Sequence, residues 1–534
     1  MTCCFSILAP EMLLLVAAGL VLLAGVSGSM RLRAGPPWIA MAAVAAAIWL
    51  SLQPCASGGA DLPGIRVSAL TWYARIAGLS VGLLVMLAHL HLPLPGEKGE
   101  HFAMMLFALA GLTLVASADD LITLFLALEL VSVPTYVLVA ASGRDVRAHE
   151  AGMKYFFLGS LAASVLVYGF SFLYGASGTC RLSGMAGVLD AHDPLVLIGM
   201  VLAMMGLAYK LAVVPFHLYA PDVYQGAASP VTALLGFLPK LAGFVALVKL
   251  LALIAPAGGT SAEVWCPPAG LFWLLWFLAA ATMTVGNCQA LWQGNVKRML
   301  ACSSMAHSGY LLVAVLAGPA GGGGPLDDGW SAMLFYAIVY GVLNLGVFAV
   351  LGYLRAGSKA AEDLEDLAGL ARRFPAPALV MALCLFGLMG MPPTAGFLGK
   401  VLIFGSALSA GAGHPHQGAM ILLVVIGVLN AAVAAVYYLR VIGACYLSAP
   451  QGELSFEAER SQRLGLLACA VVVLLLGLRP HLLLQPAQDG AAAVSPSRSC
   501  PTAVFAVSGA PPEDLARPET VCTLRSEAPY NGPP

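Results

Sequence analysis

Charge is what this sequence has least of. Asp, Glu, Lys and Arg make up 10% of its 534 residues, whereas hydrophobic residues make up 60%. A soluble globular protein carries about 25% charged residues. So few charges cannot cover a water-facing surface, and the mean hydropathy of +0.88 agrees. Lipid must cover most of the outside. The net charge is −1, so there is no electrostatic case for nucleic acid. The twelve cysteines form no Cys-x-x-Cys pair and no metal-type Cys/His spacing, which argues against iron–sulfur or zinc binding. Most of them, such as Cys288, Cys302, Cys384 and Cys469, sit in apolar runs as small hydrophobes. The first apolar run has no basic residues before it and no small-residue cleavage site. It is expected to be a retained helix, not a signal peptide.

What the sequence does have is apolar length. A bilayer core takes roughly 20 residues of helix, and fourteen stretches qualify. They lie near Leu8–Val26, Pro37–Leu52, Ser68–His91, Phe102–Ala116, Leu121–Ala141, Ala151–Tyr174 and Pro194–Val214. The rest lie near Ser229–Leu251, Ala269–Ala290, Arg298–Leu316, Ala332–Tyr353, Pro377–Ala407, Ala419–Tyr446 and Arg463–Leu478. The expected fold is an all-α integral membrane protein of about 14 transmembrane helices.

Basic residues in short loops set orientation. One side holds Arg31, Arg33, Lys98, Arg144, Arg147, Lys297, Arg298, Arg355, Lys359, Arg372, Arg373, Arg460 and Arg463. The short loops of the other hold only Arg66 and Arg181. The rich side is expected to be cytoplasmic, with both termini periplasmic. After Leu484 the chain is rich in Pro, Ala and Ser and has no helical period, so 485–534 is expected to be a mobile tail. Cys500 and Cys522 lie in it; pairing and no pairing both stay open.

A charge at a helix centre costs about 2.5–3.5 kcal/mol on insertion scales, so such residues are usually inward, paired and functional. Glu129, Lys210, Lys240 and Lys400 fall near the middle of their spans. The plain alternative is a static ion pair that fixes helix register, and Glu129 with Lys210 fits that too. Lys240 and Lys400 have no spare acid at membrane depth. Lys249, Arg75, Arg440 and Lys154 lie close to span ends and are expected to snorkel. His307 is polar and mid-helix, and an unperturbed histidine titrates near ~6.5, which suits proton transfer as well as a structural role. Ser303, Ser304, Tyr209, Tyr310 and Thr394 suit either water binding or helix-to-helix bonding.

Two spans are interrupted. Pro215 follows Lys210 in Val-Val-Pro-Phe-His, and Pro392 and Pro393 precede Lys400 in Gly-Met-Pro-Pro-Thr-Ala-Gly. Proline removes a backbone donor and clashes with the turn before it. Within a bilayer the freed carbonyls are tolerated only against protein or a wet cavity. These are helices 7 and 12, the fourth members of two groups of five, helices 4–8 and 9–13. Groups of five begin on opposite faces, the pattern of an inverted repeat with sites at discontinuous helices. The expected segments are 1–100 (three N-terminal helices), 101–253 (first repeat), 268–446 (second repeat) and 460–480 (last span).

Five blocks carry a resemblance: Leu-Phe-Leu-Ala-Leu-Glu-Leu, Met-Lys-Tyr-Phe-Phe-Leu-Gly, Val-Pro-Phe-His-Leu-Tyr-Ala-Pro-Asp-Val-Tyr-Gln-Gly-Ala, Asn-Val-Lys-Arg-Met-Leu-Ala-Cys-Ser-Ser-Met-Ala-His-Ser-Gly-Tyr and Met-Pro-Pro-Thr-Ala-Gly-Phe-Leu-Gly-Lys. From about Glu11 to Leu478 the chain resembles the antiporter-like subunits of proton-pumping NADH:quinone oxidoreductase, respiratory complex I. Asp-Val-Tyr-Gln-Gly-Ala, Lys400 in place of a glutamate, and the lack of a long lateral helix place it nearer the N branch than the M and L branches. The resemblance implies that Glu129 pairs with Lys210, that Lys240 links two half-channels, and that Lys400 serves the exit. It implies that NADH, FMN, iron–sulfur clusters and quinone belong to partner subunits, with no cofactor in this chain. Pro239, beside Lys240, departs from the expected pattern. A multisubunit cation/proton antiporter, a membrane-bound hydrogenase and a scaffold with static pairs remain alternatives.

Overall fold

The computed structural model describes residues 7–27, 35–53, 62–88, 90, 98–143, 146–186, 188–254, 265–319, 324, 326–357, 359–411, 415–450, 454–456 and 460–494. Each of the fourteen apolar stretches holds helix. The first three are α1 (Ala9–Val26), α2 (Pro36–Leu52) and α3 (Ala69–Ala88). The next five are α4 (Lys98–Ser117), α5 (Leu121–Ala140), α6 (Val146–Ser177), α7 in two pieces (α7a Pro194–Lys210, α7b Ala220–Gly226) and α8 (Ser229–Leu253). Then come α9 (Ala269–Trp292), α10 (Val296–Ala317), α11 (Gly329–Tyr353), α12 in two pieces (α12a Pro375–Met389, α12b Ala395–Gly411) and α13 (Gln417–Tyr446). The last two are α14 (Arg460–Leu478) and α15 (His481–Ala492). Among the described residues, ten helices are long and apolar enough to cross a membrane, or twelve if two bent pairs each count once. The chain is a multi-pass membrane protein.

The helix starts are written in the sequence. The Asp120 side chain accepts from Ile122 N at 2.8 Å to begin α5, and Asn295 accepts from Arg298 N at 3.2 Å to begin α10. Asp328 does the same for α11, accepting from Ser331 N at 3.1 Å. Side-chain acceptors of this kind satisfy amides that the helix leaves over. Pro194, Pro230 and Pro375 stand in the first turns of α7a, α8 and α12a, where a missing N–H costs nothing.

Packing within α4–α8 recurs within α9–α13. In the first group α4 packs on α5, α5 on α6, α6 on both pieces of α7, and α8 on α4, α5 and α7a. In the second, α9 packs on α10, α10 on α11, α11 on both pieces of α12, and α13 on α9, α10 and α12a. The groups join where α8 packs on α11 and α7b on α10. The central segments of α8, α10 and α11 are wholly buried, whereas those of α6 and α13 are mostly open. Their open faces carry Phe157, Leu161, Leu422 and Leu429. That is lipid's pattern, apolar outside as well as inside. Close approach needs small residues: a Cβ on Gly99 would lie 2.5 Å from Gly25 Cα, so α1 and α4 meet backbone to backbone. A three-stranded sheet, β1 (Leu354–Ala356), β2 (Lys359–Ala360) and β3 (Leu454–Phe456) in the order β2-β1-β3, ties the end of α11 to the segment before α14.

Two expectations need correcting, that of the tail and that of snorkelling, and the effect of Pro239 can be read directly. The chain does not lose its helix after Leu484: α15 runs to Ala492 and packs on α3 and α11. Its apolar positions, Leu483, Ala487 and Ala491, are a helical turn apart and buried, a period hidden by Pro486. Residues 495–534, with Cys500 and Cys522, lie outside the described residues. Pro239 does not break α8, which runs through it. Arg75 and Lys249 do not snorkel. Arg75 sits in a π-helical turn, Ala74–Gly78, and pairs with buried Glu11 through two 2.8 Å bonds. Lys249 donates to the carbonyls of Val115, Ala116 and Ala118 at 2.9, 2.6 and 2.7 Å. A partner inside the protein was available to each, which is cheaper than a stretched stem.

Candidate functional site

Glu129 of α5 and Lys210 of α7a form one end of the site. Lys210 is the last residue before the α7 break and donates to Glu129 Oε1 at 2.9 Å and to Ser132 Oγ at 2.5 Å. Ser132 follows Glu129 by three positions, so both share a helix face. The lysine side chain is 5% exposed and the glutamate 22%. The pair is therefore closed on the lysine side and open on the other. After the lysine, Ala212 takes a left-handed backbone (φ 52°), a conformation that costs a non-glycine residue about 1 kcal/mol. Strain of this kind gathers at functional sites.

Lys240 of α8 lies across a cavity from Lys210. The cavity has a volume of about 20 Å³ and is lined by both lysines, Tyr224, Leu235, Pro239 and Ser304, among others. One water needs roughly 10–15 Å³. Lys240 donates to Ser304 Oγ at 2.6 Å and also to the Ser304 carbonyl. Its ammonium stands 5.5 Å from the ring centre of Tyr340, a cation–π distance. No carboxylate pairs with it among the described residues.

His307 of α10 lies within the second group of helices. Its ring nitrogens face two phenols, Tyr336 Oη at 2.8 Å from Nδ1 and Tyr438 Oη at 3.0 Å from Nε2. Ser303 also bonds Tyr438. The His307 ring packs on Tyr340 at 4.9 Å and on Tyr310 at 5.6 Å between centres.

Lys400 of α12b closes the row. The break before it leaves α12a ending at Met389, with Gly390 in a left-handed conformation (φ +89°) that favours glycine. Lys400 donates to the carbonyls of Leu388 and Met389, both at 2.9 Å. It caps the negative end of that helix dipole. Its ammonium stands 5.2 Å from the Tyr310 ring centre. So contact runs from Lys240 through Tyr340, His307 and Tyr310 to Lys400.

All five site residues expected from the sequence thus fall on one buried row. Several members were not foreseen. Tyr336 and Tyr340 of α11 are one turn apart, but only the fold brings that face to His307. Tyr438 reaches it from α13. Asn287 and Asn430 are polar, mid-span and buried, and the rule applied to the lysines extends to them. They bond each other at 3.1 Å, and Asn287 also takes the Tyr437 hydroxyl at 2.9 Å and donates to Tyr310 Oη at 3.4 Å. Asp222 of α7b joins Lys154 at 2.8 Å to Arg298 at 2.7 Å, on the face rich in basic residues. Ser303, Tyr209, Tyr310 and Thr394 act here as bonding groups within and between helices.

The family described as NADH:quinone oxidoreductase/Mrp antiporter, TM, matches residues 118–431, from the start of α5 into α13. The chain belongs to this family. NADH-quinone oxidoreductase subunit N of Trichlorobacter lovleyi is 40% identical over 417 residues, 77% of this chain and 81% of that protein. A chain of respiratory complex I from Thermus thermophilus with bound aureothin superposes with TM-score 0.73 at 30% identity, covering 89% of this chain and 98% of that one. A chain of an archaeal membrane-bound sulfane sulfur reductase shares the fold, with TM-score 0.78 at 23% identity, covering 92% and 97%. For a family member, two broken helices and a buried row of amines spanning both groups of five are the parts that bear on transport.

Proposed function

We propose that this chain is the N-type proton-translocating membrane subunit of a bacterial NADH:quinone oxidoreductase, and that Glu129, Lys210, Lys240, His307 and Lys400 carry the proton. One observation carries the reading: every step of the row from Glu129 to Lys400 is bridged by a hydrogen bond, a shared cavity or a ring contact. A buried amine gives up a proton more readily than a hydrated one. Glu129 holds the proton on Lys210 while the two are paired. When Glu129 turns toward its open side, Lys210 becomes the better donor and Lys240 receives through water. His307 and its phenols pass the charge toward Lys400.

Moving one charge against 100 mV takes about 2.3 kcal/mol. Quinone reduction in other subunits supplies it, and NADH, FMN, iron–sulfur clusters and quinone are theirs to bind. The chain spans the inner membrane fourteen times with both termini periplasmic. Residues 101–253 and 268–446 act as inverted half-channels, a reading the recurring helix contacts support.

The family description also covers Mrp antiporters, so the assembly needs its own test. Affinity purification of the native complex through this chain is expected to bring NADH-oxidising iron–sulfur subunits with it. A complex without them would instead fit a cation/proton antiporter.

A further inference from the structure

We propose that the turn of α8 before Lys240, together with Asn344 of α11, forms a water-binding site that keeps Lys240 in proton contact, with Asn344 and Pro239 as positioning residues. Pro239 has no N–H, so it cannot bond the carbonyl one turn back, on Leu235. Helix carbonyls point toward the C-terminal end of the helix, so this one faces the Pro239 turn. Leu235 and Pro239 both line the cavity that Lys210, Lys240, Tyr224 and Ser304 share. A bound water needs two to four polar partners as well as space. The Leu235 carbonyl and the Tyr224 hydroxyl supply acceptors, and the lysines supply donors.

Asn344 reaches the same hydroxyl from the other side. It is 1% exposed, and its amide nitrogen Nδ2 has no hydrogen-bond partner. Such a group costs about 1–3 kcal/mol when left dry. The amide fills the notch of Gly236: a Cβ there would stand 2.1 Å from Asn344 Nδ2 and 3.4 Å from Tyr224 Oη. Both polar atoms border the position a Gly236 side chain would take, and polar groups that do not bond directly can be joined by a water. Tyr224 in turn lies 3.3 Å from Ser304 Oγ, the group that holds Lys240. Gly236 leaves the notch that the Asn344 amide enters, Pro239 releases the acceptor, and Asn344 supplies the unused donor. Among the described residues Lys240 has no carboxylate partner, so water held here is its polar neighbour on the side of Lys210.

The inference rests on the proton-relay reading. The test uses the intact complex, with a high-resolution map and with proton pumping and quinone reduction measured in proteoliposomes. The parent map is expected to show ordered water between Leu235 O, Tyr224 Oη and Asn344. Asn344→Leu keeps the side-chain size, and Pro239→Ala restores the helical N–H. Each is expected to lose that density and to lower the protons pumped per quinol, with Lys240 still bonded to Ser304. If Asn344→Leu fails to assemble, Pro239→Ala alone decides. A dry cavity in the parent, or full pumping stoichiometry in the assembled variants while Lys240→Met loses pumping, overturns the water site and leaves the relay standing. Full pumping in Lys240→Met removes the relay and this site with it.

Discussion

The two groups of five helices solve one problem in two ways. Each breaks its fourth helix and sets a lysine at the break. In α7 the lysine precedes the break and is neutralised by a carboxylate, Glu129, at 2.9 Å. In α12 the lysine follows the break and is held by two carbonyls of the preceding half-helix and a tyrosine ring. The first arrangement is an ion pair with one member partly open, so it has two states to switch between. The second has no counter-charge to move. Under the proposed relay, the amine paired with a carboxylate is the one a signal would set, and the amine held by carbonyls and a ring is the exit.

Outside the row, the same comparison appears as symmetry. Lys249 near the end of α8 caps the end of α4, and Arg440 near the end of α13 donates to Leu291 in the last turn of α9 at 2.9 Å. Helices at the same place in the two groups of five carry similar clamps. The first clamp is half-buried and makes three bonds, and the second is exposed and makes one.

Variants sharpen the contrast. The largest expected effect is on pumping in Lys400→Met: proton transport is lost while the complex assembles, with some loss of stability from the Leu388 and Met389 carbonyls that give up their lysine donor. Assembly with a lowered melting temperature and no pumping is the signature; loss of assembly would mean Lys400 is structural. Glu129→Ala should act differently, leaving Lys210 buried and unpaired. Breaking a buried pair costs about 3 kcal/mol, so a lower melting temperature is expected along with lower pumping. The double variant Glu129→Gln/Lys210→Met should recover the stability and not the pumping. Recovery of both would make the pair a register device only.

A smaller difference should separate the clamps. Lys249→Ala strips three carbonyls of their donor and is expected to cost several times more stability than Arg440→Ala, as read by thermal unfolding of the complex. Equal losses would contradict the burial difference. The smallest effect belongs to Asp222→Asn. Its bonds to Lys154 and Arg298 lie at a part-exposed surface, where a pair is worth ~0–1 kcal/mol. Stability should hardly change.

Much of this was legible from the residues. Each apolar stretch holds helix among the described residues, and proline located both breaks. The cost of burying charge picked out Glu129, Lys210, Lys240 and Lys400. The same rule was applied too narrowly near span ends. Arg75 and Glu11 are 64 positions apart, and only folding shows that they meet. The tyrosines around His307 could not be found from spacing, because α10, α11 and α13 each contribute to that cage. Asn344 carries the same mid-span polar signal as Asn287 and Asn430, but Gly236 carries none, and neither shows its partner. Their meaning lies in the fit of one helix against another.

The most direct measurement of the central claim concerns the junction of the two halves. Lys240→Met is introduced into the complex, and protons pumped per quinol formed are measured in sealed proteoliposomes beside the parent. The account predicts a complex that assembles with a clearly reduced ratio, because the cavity from Lys210 and the ring contacts toward Lys400 meet at this amine. A ratio equal to the parent's would contradict it.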